Sequence, residues 1–542
     1  VIMLAGGVGF AKLKDGIKKK VQKDQTVVIL GGDNYRIGMG GSAVSSVDTG
    51  AFDTKLELNA VQRSNPEMQK RVCNAIRAMA ELDDNPIVSI HDHGAGGHLN
   101  CLSELVEDTG GNFKLENFPV GDPTLSEKEL IGNESQERMG LVIDHEHSEY
   151  LKNVSARERA PYYEVGETVD NDELTFMRSG SDQAPFHLKM KHLFGSSPKT
   201  ILNDRQAQKP YLNKEYSLDK VEDYLEKVLQ LEAVASKDWL TNKVDRSVTG
   251  KVAMQQTVGE IQVPLNNVAV MALDFVGNKG IATSIGHAPA PALINPGAGS
   301  RLSVTESLTN LVWAPLTLGL SGVSLSANWM WPAKNEGENA RLYQAVKEIS
   351  EFTSDLGINI PTGKDSLSMA QKYPDGKKVL APGSVIVSAV GEVSNITKVV
   401  TPNIKQKESQ IIYISFSQSS LEVGGSSFAQ TQSFLGDKTP DTNAETVKNA
   451  FTAVQELINQ GLILAGHDVS AGGLITTLLE MNFPNTKGGL DIDLASFGEE
   501  DVVKVLFAEN PAVVVQTDDS DLVTQALSKH NVAFKIIGKN VS

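Results

Sequence analysis

Two stretches of this chain repeat one pattern, His91-Asp92-His93-Gly94-Ala95-Gly96-Gly97 and His467-Asp468-Val469-Ser470-Ala471-Gly472-Gly473, each followed by an apolar helical run. Histidine and aspartate beside paired glycines offer two kinds of chemistry. Glycine lets backbone approach a ligand closely, and the unpaired N–H groups of a helix start suit an anion. The aspartate suits Mg²⁺, a hard cation that prefers carboxylate and phosphate oxygens. A blander reading competes, in which the aspartate only caps the helix after a tight strand-to-helix turn. Retention of both His and Asp in two copies weighs against it. A glutamate follows each histidine by thirteen residues, Glu104 and Glu480. In both halves a strand-like run, Val27-Val28-Ile29-Leu30 or Ile411-Ile412-Tyr413-Ile414, leads to a Gly-Gly-Ser turn, Gly40-Gly41-Ser42 or Gly424-Gly425-Ser426.

Other polar groups are spaced for chemistry. Glu306 and Asn310 in SVTESLTNL lie four residues apart, on one helix face, where both oxygens reach one metal. Ser303 and Glu306 also match a capping box with Leu302 as staple, which is the stronger reading of that segment alone. Asp245 in VDRSVTG completes such a metal set, or pairs locally with Arg246. GNESQER, Gly132 to Arg138, is dense in polar groups before an apolar strand and reads equally as a ligand-facing or a solvent-facing loop. Gly363-Lys364-Asp365-Ser366 is no Walker loop, because the earlier glycine is missing and Asp stands where Ser or Thr is required. It presents Lys364 and Ser366 to a phosphate or forms an ordinary exposed turn. Asn328-Trp329-Met330-Trp331 reads as core packing at a strand end.

The elements that position these groups follow from length and pattern. At 542 residues the chain exceeds one core and predicts three or four domains. A net charge of −17 argues against general affinity for nucleic acid or anionic membrane. The lysine cluster of Lys12, Lys14, Lys18, Lys19, Lys20 and Lys23 reads as a solvated surface rather than a polyanion patch. Cys73 and Cys101 sit in helical patterns as buried core residues and imply no disulfide. With no signal peptide and no long apolar run, the chain reads as cytoplasmic and soluble. It starts at Val1, with VIMLAGG already a strand reaching a turn, as if cut from a longer polypeptide.

Hydrophobic periodicity predicts strands near Val1 to Leu4, Val27 to Leu30, Pro86 to Ile90 and Met139 to Ile143, with a helix from Pro66 to Leu82. It also predicts strands at Val268 to Leu273 and Ser384 to Val390, and helices at Ser303 to Leu311 and Asn339 to Asp355. The expected division is 1–195, a linker at 196–225, 226–400, and 401–542, the last repeating the first. The fold class is α/β (α+β), with mixed sheets covered by helices.

Together IHDHGAGG, NESQERM, DRSVTG, SANWM, GKDSLSM and HDVSAGG resemble, in order and across essentially the whole chain, the large single-chain phosphoribosylformylglycinamidine synthases of purine biosynthesis. That resemblance implies tandem aminoimidazole-ribonucleotide-synthetase-like domains in the order B1, A2, B2, with a first A domain, an N-terminal domain and a glutaminase absent. It implies a ligase that converts formylglycinamide ribonucleotide, ATP and glutamine-derived ammonia into formylglycinamidine ribonucleotide through an iminophosphate. Such a site rests on Mg²⁺ and aligned oxygens more than on a covalent nucleophile.

Carried over residue by residue, the resemblance makes Asp92 a Mg²⁺ ligand of the catalytic half. Gln62, Glu134, Ser135, Gln136 and Ser366 become substrate contacts. Asp245, Glu306, Asn310 and Asp468 become Mg²⁺ ligands of an auxiliary ATP/ADP site, with Val244 and Ser470 on the nucleotide, and this overrides the capping-box reading of Glu306. Catalytic residues are expected in the absent domains, so the chain alone is expected to be inactive. His287 replaces a usually acidic position. The partners implied are the ribonucleotide, ATP, ammonia and the glutaminase domain, with neither nucleic acid nor membrane. Single-pair synthetases of the same superfamily are the alternative enzymes, against which the tandem repeat counts. A nucleotide-holding scaffold is the non-enzymatic alternative.

Overall fold

Alternation along Val27 to Leu30 buries both faces of one strand. Val27 and Ile29 join a core with Cys101, Leu102 and Phe113, while Val28 and Leu30 join another with Val72, Met79 and Leu151, as period-two side chains between two helical layers must. The computed structural model describes the chain except residues 1–6, 10, 61–64, 136, 197, 200, 206–210, 242–245 and 542. The strand expected at Val1 to Leu4, and Gln62, Gln136, Val244 and Asp245, lie outside the described residues. Two units form, Gly7–Ile201 with Ala370–Val379, and Leu202–Met369 with Leu380–Ser542.

In the first unit, β1 (Thr26–Leu30), β2 (Ile87–Asp92), β3 (Gly111–Lys114), β4 (Met139–Ile143), β5 (Tyr162–Thr168), β6 (Glu173–Met177) and β7 (Phe186–Lys189) form one mixed sheet in the order β2-β4-β1-β5-β3-β6-β7. Its helices include α1 (Gly41–Ser45), α2 (Pro66–Ala80), α3 (Gly97–Leu105) and α4 (Ser148–Glu158). The second unit holds two sheets. One contains β8 (Val252–Met254), β9 (Ala269–Ala272), β10 (Gly280–His287), β11 (Ser324–Met330) and β12 (Asn359–Ser366). A hairpin of β13 (Ala370–Lys372) and β14 (Lys378–Leu380) precedes the last strand of that sheet, β15 (Ser384–Val393), and the sheet order is β12-β11-β15-β10-β9-β8. The other sheet takes β16 (Gln410–Ser415), β17 (Ala465–Val469), β18 (Gly489–Ile492), β19 (Ala512–Thr517) and β20 (Phe534–Val541) in the order β17-β19-β16-β20-β18. Helices α5 (Pro296–Leu311), α6 (Glu338–Leu356), α7 (Ser427–Thr431), α8 (Ala444–Gln460) and α9 (Gly473–Asn482) accompany them.

The repeat is therefore one of topology. Strands β1 to β5 and β16 to β20 have the same spatial order, with the same antiparallel pairings. Even the register shift recurs, between Val27 and Val28 and between Ile411 and Ile412.

Several expectations change. Helix α5 begins at Pro296, not near Ser303. Asn295 caps it by accepting from Gly297 and Ala298 N–H at 3.0 and 3.1 Å, and Ser303 Oγ donates to Gly299 O at 2.8 Å. The capping box at Ser303 is thus overturned. A helix buried nearly all round carries no polar face to announce its start. Gly363 to Ser366 lie within β12, parallel to β11, and form no turn. Cys101 is buried but Cys73 is exposed, because α2 buries Val72, Ala75 and Met79 and the neighbouring Cys73 points to another face. Trp331 is buried, as expected of core packing, and donates Nε1–H to Glu338 O.

The lysine cluster serves a local purpose. Lys12 Nζ donates to Glu81 and Leu82 carbonyls at 3.2 and 2.7 Å, and Lys14 and Lys19 reach those of Asp83 and Asn85, all just beyond the C-terminus of α2. Cations there neutralise the negative end of a helix. Within the segment expected to be a linker, the Asp204 carboxylate accepts from Gly337, Asn339 and Ala340 N–H at 3.0, 3.0 and 3.2 Å. It supplies the cap that Gly337 lacks. Among the described residues, no helix is long and apolar enough to cross a membrane.

Candidate functional site

Each histidine-aspartate turn closes an edge strand, β2 or β17, and opens a helix, α3 or α9. The helices start after Gly96 (φ 83°) and Gly472 (φ 97°), a left-handed step that glycine takes freely. The aspartates cap neither helix. The thirteen-residue spacing has a cause: the strand histidine meets a glutamate on the following helix, His467 Nε2 lying 3.0 Å from Glu480 Oε2 and His91 Nε2 close to Glu104 Oε2.

In the second half the pair is enclosed. Side-chain exposures are 6% for His467 and 3% for Asp468. Burial opposes charge on His467, but the Glu480 carboxylate and then Asp468 outweigh it and raise its pKa. Burial, reinforced by Glu306 and Glu480 against the opposing pull of His467, pushes the Asp468 carboxyl up to about 6. Asp468 Oδ2 has no hydrogen-bond partner. An orphaned, buried carboxylate oxygen is costly unless something positive meets it.

Glu306 and Asn310 lie one turn apart on α5, and the Glu306 charge acts on Asp468. Glu306 Oε2 accepts from His287 N–H at 2.6 Å, with His287 Nδ1 at 3.4 Å. That carboxylate raises the His287 pKa against burial. Asn310 spends Nδ2 on the carbonyls of Ile285 and Glu306, at 3.3 and 3.0 Å, which leaves Oδ1 as its open acceptor. A cavity of roughly 210 Å³ is lined by His287, Glu306, Gly424 to Ser427, Ser470, Ala471 and Glu509, with Pro289, Pro291 and Pro440 on its apolar side. Ser470, Glu306 and the Gly-Gly-Ser turn are thus brought together. The donor set fits a hard divalent cation: carboxylate oxygens, an amide oxygen and one buried oxygen without a partner. Among the described residues, no three of His, Cys, Asp and Glu already form a metal cluster. Arg246, beside Asp245, bonds Gln255, Thr257 and Gln262.

The first half is built alike but open. Asp92 is 64% exposed, and its Oδ2 accepts from Gly94 N–H at 3.0 Å. Glu134 and Ser135 are buried beside it, Ser135 N–H donating to His93 O at 3.0 Å. Ser366 ends β12 in the other unit and accepts from Lys364 Nζ at 3.1 Å. Beneath the turn lies a polar layer that sequence reasoning missed. Buried Arg138 donates to His98 Nε2 at 2.6 Å and Asn133 Oδ1 at 2.6 Å, and it also reaches Asn34 Oδ1. Burial, then the Arg138 charge, holds His93 and His98 well below the ordinary histidine pKa. Burial lowers Arg138 itself to about 10.

Sequence reasoning also missed Glu509. Its Oε1 accepts from Gly472 and Ser427 N–H at 2.7 and 2.8 Å, as Glu134 Oε1 accepts from Gly96 and Ser42 N–H at 3.3 and 3.4 Å. The register places Met139 level with Val513, so Glu134 precedes its strand position by five residues and Glu509 by four. That one-residue difference hid the match.

Comparison with known proteins agrees with this geometry. The family model of the AIR synthase related protein, C-terminal domain, matches residues 22–178 and again 408–542. That of the FGAR-AT PurM_N-like domain matches 236–392. The phosphoribosylformylglycinamidine synthase of Dictyostelium discoideum is 40% identical over 563 residues, covering 99% of this chain and 41% of that protein. The protein of the same name from Homo sapiens is 40% identical over 555 residues, covering 98% and 41%. The chain spans about two fifths of the length of these curated relatives. Among solved structures, T. maritima PurL complexed with FGAR superposes with a TM-score of 0.66 at 18% identity, covering 97% of this chain and 73% of that one. T. maritima PurL complexed with ADP gives 0.64 at 18%, covering 97% and 72%. At that identity the likeness is one of fold. With one domain family matched over both copies of the five-stranded repeat, the chain belongs to the AIR synthase related family.

Proposed function

We propose that this chain is the core of an ATP-dependent phosphoribosylformylglycinamidine synthase, which amidates formylglycinamide ribonucleotide with glutamine-derived ammonia. The observation that carries the reading is the duplicated turn in two environments, Asp92 exposed and Asp468 enclosed. An open turn suits a ligand that must enter and leave, and an enclosed one suits a ligand that stays. Relatives at 40% identity bear the synthase name, and solved structures of the same fold hold FGAR, ATP and ADP.

In this reading the first half is the turnover site. The N–H groups at the start of α3 take a phosphate, Asp92 takes Mg²⁺, and Gln62 and the Glu134-Ser135-Gln136 loop serve the ribonucleotide. The second half retains ADP, with Asp468, Glu306, Asn310 and Asp245 on Mg²⁺, and Ser470 and Val244 on the nucleotide. Bound Mg²⁺ neutralises phosphate charge and aligns its oxygens. The protein's own contribution is to fix the turn amides and keep water from the enclosed carboxylate. The ammonia source, a glutaminase domain, and a cytoplasmic setting belong to the same proposal.

Turnover is tested by restoring this chain to the full-length enzyme. Asp92→Asn there should lower kcat/KM for the ribonucleotide by at least about tenfold, the scale for losing an interaction made to the reacting phosphoryl group. Unchanged turnover would remove Asp92 from the site.

A further inference from the structure

The two carboxylates before β4 and β19 show the same unusual use of one atom. Glu509 Oε1 receives the N–H of Gly472, from the histidine-aspartate turn, and that of Ser427, the residue just after the Gly-Gly-Ser turn. Glu134 Oε1 receives the N–H of Gly96, which matches Gly472, and that of Ser42, which closes the first half's Gly-Gly-Ser turn one position short of the Ser427 match. The remaining sequence of the two loops differs, NESQERM against AENPAVV. Gly41 is shaped to this contact, since a Cβ there would collide with the Glu134 carboxylate. Backbone anchors the loop as well, Glu134 N–H donating to Gly38 O at 3.0 Å.

We infer that Glu134 and Glu509 are positioning residues, each using a single side-chain oxygen to lock the two glycine turns of its half into one anion-binding cradle. The histidine-aspartate turns present helix-start amides that a phosphate can share. Two separately mobile turns would have to be ordered on binding, and that ordering opposes affinity. A brace removes the cost beforehand. In this role the oxygen serves the amides rather than the ligand, and its negative charge is no advantage, because a carboxylate touching a phosphate would repel it. An amide oxygen accepts the same two N–H groups, so glutamine should replace glutamate. A direct contact that depends on charge, to a metal or to a donor on the substrate, should not survive that exchange.

The ligand rests on the proposed function, but the hydrogen bonds do not, and the experiment separates the two. Amide hydrogen exchange is followed on the whole chain and on Glu134→Gln, Glu134→Ala, Glu509→Gln and Glu509→Ala, with ADP titrated in the presence of Mg²⁺. Each Gln variant should keep exchange of its own pair of amides within about threefold of the parent. Each Ala variant should speed that pair by about tenfold or more, with the opposite half unchanged as the control for folding. ADP affinity should fall with Glu509→Ala and return with Glu509→Gln. Gln variants exchanging as fast as the Ala variants would overturn the brace. So would Glu509→Gln losing ADP while its amides stay protected, since that marks a contact that needs charge. If an Ala variant does not fold, the Gln variant of that half decides by the same exchange criterion. If the parent binds no ADP, the second-half function fails, and the exchange arm still judges the brace.

Discussion

Asp92 and Asp468 occupy the same step of the same turn, yet one is 64% exposed and the other 3%. Residue identity alone does not set a residue's chemistry here. Asp468 holds a buried oxygen without a donor, which costs folding energy unless a cation arrives. Asp468→Asn should therefore leave the ligand-free chain no less stable in urea unfolding, while abolishing stabilisation by ADP with Mg²⁺. A variant that is merely destabilised, with nucleotide binding intact, would remove Asp468 from the metal site. His98 gives a pH test. Burial and Arg138 depress its folded-state pKa, so its neutral form is the one that folds. Stability is then full above the unfolded-state value near 6.5 and is progressively lost as pH falls below it. The second copy carries Leu474 at the matching position, seven residues after its histidine. In urea titrations of the first unit at pH 7 and pH 5, His98→Leu should flatten that loss. An unchanged pH slope would show that His98 does not carry it.

At the scale of elements, edge strands β2 and β17 show how context divides equal topology. A Cβ at Gly466 would collide with buried Trp313, whereas Ile90, at the matching step, is 40% exposed. Gly466→Ala should destabilise the second unit by about 2 kcal/mol or more through overpacking, and Ile90→Ala should cost under about 1. Equal losses in thermal unfolding would contradict the different packing of the two strands. Helix α5 offers a second comparison. Asn295→Ala removes a cap and should cost about 1 kcal/mol, whereas Ser303→Ala, in the helix interior, should cost far less. The reverse order would restore the helix start that the sequence suggests. These cases show what sequence reading reaches. The strand at Met139–Ile143 and the helix from Pro66 follow from periodicity, because each has one buried pattern and a clear boundary. The start of α5 does not, because Pro-Gly-Ala-Gly-Ser hides a fully buried helix behind residues usually found in turns. At the candidate site, the repeated motif singled out Asp468 and the four-residue spacing Glu306 beside its capping alternative, while Ser470 entered through the resemblance. Glu509 was not, because its partners are backbone amides, which leave no mark on side-chain spacing. The Arg138 layer also escaped, because it forms only when a loop, a strand and a helix meet.

Across the whole molecule, one five-stranded order appears twice, with a sheet of different order between the two copies in the chain. With ligand exchange proposed for the open copy and retention for the enclosed one, the two aspartates should separate these properties. Calorimetric titration of this chain with ADP in the presence of Mg²⁺ tests that most directly, comparing the parent with Asp468→Asn and Asp92→Asn after stripping any bound nucleotide. One tight site is expected, lost in Asp468→Asn and kept in Asp92→Asn. Absence of binding in the parent, or loss of the tight site in Asp92→Asn with retention in Asp468→Asn, would contradict it.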